Sequence, residues 1–346
     1  MTAKERTDPV EEQAGSSMDL YDVATWEERT SLDGLAVALY GLMRASGRIV
    51  IVGVAALLLV GIGGFAALTD PAVGTLTVLS AIPALGLAAY VYRSDVTSNE
   101  PLHVLVATFL LGVLTANFAA ILNSAFKPYF APIGFLGSVV FFFVIVGPVE
   151  ETVKLLAVRL YAFSDEGFDS VLDGAVYGAM AGLGFAFIEN ALYISRNVGT
   201  GAGELDLGLE LIGAGAGITA TRALAGPGHV IYSAFAGYYL GLAKFNPEHR
   251  GPIVLKGLII AALIHATYNS TVGIASGAIH MVLQAVGLPT FGGLLAFFLW
   301  VVVYDGFFGL LLVRKIQKYR AAYRSAHEDD LDQEAAKESE LTEFDA

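Results

Sequence analysis

Runs of about 20 apolar residues, almost free of charge, recur along this chain and constrain it more than any other feature. In a helix such a run is long enough to cross the hydrocarbon core of a bilayer. Inside hydrocarbon the backbone has no water to bond, so only helices or closed barrels can cross, and runs of this length are helical. The expected fold is therefore all-α, a polytopic transmembrane helix bundle of about eight spans near 49–69, 73–92, 102–126, 133–161, 172–195, 229–245, 253–275 and 289–313. A hydrophobic share of 55% is what such a bundle needs. The Gly/Ala-rich stretch 209–224, ending in Gly226-Pro227-Gly228, reads as a re-entrant piece or the first half of a broken helix.

The formal charge of -13 is unevenly distributed. Residues 1–33 and 325–346 together hold 18 of the 33 acidic residues and four of the 20 basic ones, which leaves the remainder near neutrality. Both ends are expected to be acidic, disordered, cytoplasmic tails around a transmembrane domain at 34–324. Arginines and lysines crowd the loops on the side of the termini, against Lys127 and Arg196 in the opposite loops, so both termini are placed in the cytoplasm of a cell-membrane protein. Arg222 has no place in this scheme. The acidity argues against nucleic-acid binding, and the absence of cysteine excludes disulfides, thiolate metal sites and a cysteine nucleophile.

Ionisable groups within the apolar segments are expensive and mark candidate functional sites. Glu150, Glu151 and Lys154 follow an apolar run directly; Glu189 with Asn190, His229, and His265 with Asn269 stand on three further segments. Each has a structural alternative. Glu150 and Lys154, at i and i+4, could form an intrahelical ion pair, Glu189 could snorkel to the interface, and His229 could cap the turn after Gly-Pro-Gly. The second carboxylate, Glu151, is not neutralised by the same lysine. Pro148 is expected to kink the fourth span and present the pair. His265 and Asn269 share a helix face at i and i+4. His280 and Asp305 are read as structural or are left without a role. Glycines at 174, 178 and 182, and at 213, 215 and 217, read as helix-packing surfaces. No phosphate loop, Ser-His-Asp order or HExxH helix is present, and without paired broken helices a transporter is the weaker reading.

Glu150-Glu151-x-x-Lys154, Phe185-x-x-x-Glu189 followed by Asn190, a lone His229 and His265-x-x-x-Asn269, in that order on successive helices, resemble the PrsW family of intramembrane proteases. That family belongs to a superfamily with the CAAX prenyl endopeptidases and bacteriocin-processing enzymes. The resemblance covers roughly residues 100–275. Lys154 and Glu189 stand where the wider superfamily has arginine and histidine, which fits the PrsW branch and departs from prenyl proteases. The resemblance implies an intramembrane endopeptidase whose active site lies inside the bundle and whose partners are the lipid bilayer and a membrane-tethered protein substrate, an anti-sigma factor in the best-known case. The alternatives are a proton- or ion-coupled transporter and a non-catalytic membrane scaffold.

Peptide hydrolysis needs a base for water, donors for the oxyanion and an acid for the leaving amine. On this reading Glu150 is the base, tuned by Glu151 and Lys154, and His265 and Asn269 serve the oxyanion or orient the water. His229 protonates the leaving nitrogen, and Glu189 shares the proton or completes a metal site. Glu150, Glu189, His229 and His265 are compatible with Zn²⁺. Because the i+4 partner of His265 is an amide, no cofactor is favoured.

Overall fold

A computed structural model describes residues 19, 21, 27–97, 100–198 and 209–326. The disorder expected of the tails concerns mainly residues outside this set. The chain divides into two units, residues 1–54 and 55–346. In the first, helix α1 (Ser31–Gly61) begins at a reciprocal cap, in which Thr30 N–H donates to Asp33 Oδ2 (2.7 Å) and Asp33 N–H donates to Thr30 Oγ1 (3.2 Å). The helix thus starts well before the predicted first span. That span is also divided, because Gly63 takes φ +81° ahead of the short helix α2 (Gly64–Thr69).

The second unit continues with α3 (Pro71–Tyr92), whose first turn is capped by the Asp70 carboxylate, and α4 (Leu102–Phe130). After a reversal at Gly134 (φ +68°) come α5 (Gly134–Phe141), a π-helical turn (Phe142–Val146) and α6 (Gly147–Leu160). Then follow α7 (Val171–Val198), α8 (Leu209–Lys244), α9 (Arg250–Ala285) and α10 (Leu294–Ala326). Among the described residues six stretches are long and apolar enough to cross a membrane. One of them, Leu102–Ser164, contains two limbs, α4 and α5–α6, and α8 adds another helix of span length, which brings the number to about eight.

Two local expectations are corrected. Residues 209–224 are not re-entrant; α8 runs unbroken through Gly226-Pro227-Gly228. Its glycines serve close approach rather than a break, since Gly226 faces Ala84 and Gly228 faces the Tyr232 hydroxyl and Asp305. At Pro148 the chain widens into the π turn just before it, leaving the proline within the first turn of α6, where a missing N–H costs little.

Helix α7 is the central element: 89% of its apolar window is buried, against no more than 39% for the other candidate spans. Its glycines explain how it is so closely surrounded. A methyl at Gly174, Gly178 or Gly182 would overlap the carbonyl oxygen of Gly237, Ser233 or His229 on α8, and one at Gly184 that of Phe109 on α4. Backbones approach this closely only where side chains are absent. Gly217, by contrast, meets nothing within 4 Å, so the second glycine set is not a packing surface there; Gly213 and Gly215 fall among residues whose surroundings are not described. Side chains such as Leu57, Val78, Ile82, Leu110, Val303 and Phe307 are exposed, an apolar outer surface suited to lipid.

Candidate active site

The start of α6 presses on α9. A Cβ at Gly147 would overlap the Ala262 carbonyl and touch Ala266, so glycine lets the Glu150-Glu151 pair lie beside His265. The two carboxylates then part company. Glu150 turns into a cavity of about 590 Å³, where its Oε1 accepts from Asn123 Nδ2 (2.9 Å). Its Oε2 is buried, has no hydrogen-bond partner, and lies 3.7 Å from His265 Nε2.

Glu151, fully buried, faces away from the cavity. Its Oε1 accepts from Lys154 Nζ (2.6 Å) and lies 2.8 Å from His265 Nδ1, while Ser233 Oγ stands 3.5 Å from its Oε2. The ion pair is therefore Glu151–Lys154 at i and i+3, not the Glu150–Lys154 pair considered from spacing. A carboxylate at Nδ1 requires the imidazole proton there, which leaves the Nε2 lone pair directed towards Glu150.

Lys154 also lies 2.9 Å from His229 Nδ1. The ammonium can only donate, so His229 carries its proton on Nε2, 3.0 Å from Glu189 Oε2. The Arg222 guanidinium donates to the same Glu189 oxygen, and its Nε donates to Asn190 Oδ1 (2.8 Å); Asn190 Nδ2 in turn donates to Ser80 Oγ (2.9 Å). One polar network thus runs from Asn123 on α4, through α6, α9, α8 and α7, to Ser80 on α3.

Aromatic rings brace it. Phe185 lies against His229 (5.2 Å between ring centroids) and under Lys154, and Tyr232 lies against His265 (5.3 Å) with its hydroxyl on Asp305 Oδ1 (2.7 Å).

Of the residues selected from sequence, Glu150, Glu189, His229, His265 and Asn269 line the cavity, while Glu151, Lys154 and Asn190 stand behind it in the network. Glu189 is bound by Arg222 and His229 instead of snorkelling, and His229 is in mid-helix instead of capping a turn. Sequence reasoning missed Arg222, Asn123, Tyr232 and Tyr268 as parts of the site. Arg222 had a signal, since it precedes His229 by seven residues, two helical turns along the same face. The broken-helix reading concealed that relation.

Charge and geometry both leave Glu150 uncompensated. Within the bonded network three carboxylates, Glu150, Glu151 and Glu189, meet two permanent cations, Lys154 and Arg222, both bonded to the other two carboxylates, and among the described residues neither Lys127 nor Arg196 of the cavity lining forms an ion pair with Glu150. Ligand atoms of Glu150, His229 and His265 all lie within 4.8 Å of one another. Two opposed lone-pair acceptors and an unbalanced negative charge suit a metal ion of the nitrogen- and oxygen-binding kind. Glu189, a candidate ligand from sequence, is outside that converging set.

A model of the PrsW family intramembrane metalloproteases matches residues 100–304. Curated relatives named Protease PrsW include that of Shouchella clausii, 31% identical over 215 residues, covering 60% of this chain and 87% of the relative. That of Halalkalibacterium halodurans is 29% identical over 188 residues (54% and 79%), and that of Bacillus subtilis 30% over 191 residues (54% and 78%). No solved structure matches.

Proposed function

The chain belongs to the PrsW family of intramembrane metalloproteases, and from that premise we propose that Glu150 Oε2 and His265 Nε2 hold, beside them in the cavity, the water with which it cleaves a peptide bond. The protein is an intramembrane endopeptidase acting on a membrane-associated protein. The observation that carries the site assignment is the unpartnered Glu150 Oε2 facing His265 Nε2 across 3.7 Å in a lined cavity. Both can accept from one water, and Glu150, the carboxylate without a cation, takes the proton as the oxygen attacks the scissile carbonyl. His265 orients that water, held in its tautomer by Glu151. The Asn269 amide and the Tyr268 hydroxyl, which is buried without a partner, are the cavity-lining donors for the developing oxyanion. His229 Nε2–H, backed by Glu189 and Arg222, supplies the proton to the leaving nitrogen.

The converging donors favour a metal at the same place. Glu150 Oε2 and His265 Nε2, with His229 Nε2 as a third donor once its proton has passed to Glu189, would hold a zinc-type ion, which when bound polarises the carbonyl and acidifies water. Glu189 is then the cavity-lining carboxylate left to receive the proton.

The lining also includes Lys127, in the last turn of α4, and Arg196, in the last turn of α7, the two basic residues that the sequence places on the side opposite the termini. With the termini cytoplasmic by the positive-inside rule, water and substrate enter from the other face.

The test is cleavage of a co-reconstituted membrane-tethered reporter by Glu150→Gln. We expect loss of about 10²–10⁴-fold, with unchanged thermal unfolding; unaltered cleavage would overturn the assignment. Chelation with zinc add-back decides the ion: an activity that chelators leave intact rules out the metal.

A further inference from the structure

The opposite end of α7 carries a second cluster that the protease chemistry does not use. Asp95, in the link between α3 and α4, Glu100, just before α4, and Asp173, in the first turn of α7, each bring one carboxylate oxygen within 4.8 Å of the others. Glu100 and Asp173 are buried, with 3% and 0% exposure, and Asp95 is half-buried.

The Asp173 carboxylate accepts from Asp169 N–H (2.6 Å), Ser170 N–H (2.8 Å) and the Ser170 hydroxyl, which caps the helix. Ser170 Oγ is also 3.4 Å from Asp95 Oδ1. These bonds account for helix capping. They do not account for Glu100, whose Oε2 accepts from Tyr177 Oη (2.7 Å) while Oε1 is buried with no partner at all.

Three carboxylates at this separation repel one another strongly once out of water. The neighbouring cation, Lys244, is near enough to attract Asp173 and Glu100 but bonds to neither: its Nζ is 3.4 Å from the Asp165 carbonyl and 4.2 Å from the centre of the Phe168 ring, and no ion pair among the described residues joins it to the three.

We propose that Asp95, Glu100 and Asp173 form a site for a hard divalent cation of the Ca²⁺/Mg²⁺ class, which ties the α3–α4 link to the start of α7. Every donor is an oxygen, three of them anionic, and that set selects hard cations over zinc. The site lies within one helix length of the active site but shares no residue with it. The competitor for the ion is a proton. Burial pushes the Glu100 carboxyl up to about 8, against the Tyr177 hydrogen bond and reinforced by Asp173 and Asp95. In that alternative a neutral Glu100 would share its proton within the cluster.

The full chain, purified in detergent and stripped with EDTA, distinguishes the two. Adding calcium or magnesium chloride at millimolar concentration, with potassium chloride matched for ionic strength, is expected to raise Tm by about 3 °C or more. Terbium should bind with tyrosine-sensitised emission that calcium displaces. Glu100→Gln and Asp95→Asn should each abolish both responses; if the buried variant fails to fold, the half-exposed Asp95 carries the test. A wild-type Tm indifferent to both cations, with Glu100→Gln equally stable, overturns the proposal in favour of the shared proton. A response that persists in both variants also overturns it, because the acidic tails or the active site would then bind the ion.

Discussion

The two ends of α7 each gather three carboxylates and use them differently. Asp173 and Glu189 are 16 residues apart, about 24 Å along the helix. At the Glu189 end carboxylates are interleaved with imidazoles, Lys154 and Arg222, and the cluster opens on a cavity. At the Asp173 end the donors are oxygens alone, closed over by Tyr177 and Ser170. Nitrogen donors, adjustable protons and access to water make one end suitable for chemistry, whereas the oxygen-only cluster can hold and brace. The glycine stripe of α7 connects the two, so a perturbation confined to one end tests whether they are independent.

Glu189→Gln should have the largest effect on this contrast. It leaves Arg222 and His229 without their common anionic partner, and we expect cleavage to fall about 10²-fold or more. Stability should drop by up to about 3 kcal/mol, the low end for a broken buried pair because the Glu189 side chain keeps 24% exposure. Calcium-dependent stabilisation at the Asp173 end should survive. Its disappearance would show that the ends are coupled.

Lys154→Met should act only at the active-site end. The lysine does not line the cavity; it holds Glu151 and His229, which hold His265 and Glu189. A supporting residue of this kind contributes about 10–100-fold to activity. Steady-state kinetics should show the loss in kcat with KM nearly constant, and an equal rise in KM would make Lys154 a substrate contact. Arginine should not restore activity, since its planar fork cannot occupy the point between Glu151 and His229.

Gly178→Ala should weaken both ends together. Its methyl would meet the Ser233 carbonyl of α8, a backbone atom that cannot turn aside. Overpacking costs about 1–3 kcal/mol, read as a lower Tm with activity and calcium response falling in parallel. A variant that loses one response alone would confine Gly178 to that end.

How much of this was legible depends on whether a signal was local. Span-length apolar runs predict the helix bundle, and ionisable residues in those runs predict the site, because each is costly there unless it has a partner. The pairing of those residues was not legible. Spacing along α6 puts Glu150 and Glu151 equally near Lys154, and only the approach of α9 and α8 decides that Glu151 takes the lysine. The break expected at Gly226-Pro227-Gly228 failed for the same reason: these residues interrupt an isolated helix, but here α8 is surrounded by neighbours and the glycines admit them. The Asp95, Glu100 and Asp173 cluster was invisible, since acidic residues at helix ends look like ordinary caps until the fold brings the two loops together.

The smallest effect should come from Gly217→Ala, which supplies the control for the glycine stripe. Gly217 lies on α8 with nothing within 4 Å of an added Cβ, unlike Gly178, although both stand in glycine-rich helical sequence. A methyl there meets no backbone, and alanine is better than glycine in a helix by up to about 1 kcal/mol. The substitution should therefore leave Tm unchanged or raise it by a few degrees, with cleavage and calcium response intact. The same change thus has opposite signs at the two positions. A clear fall in Tm at Gly217 would mean that this face of α8 packs against something, and that glycine spacing alone marked the interface correctly.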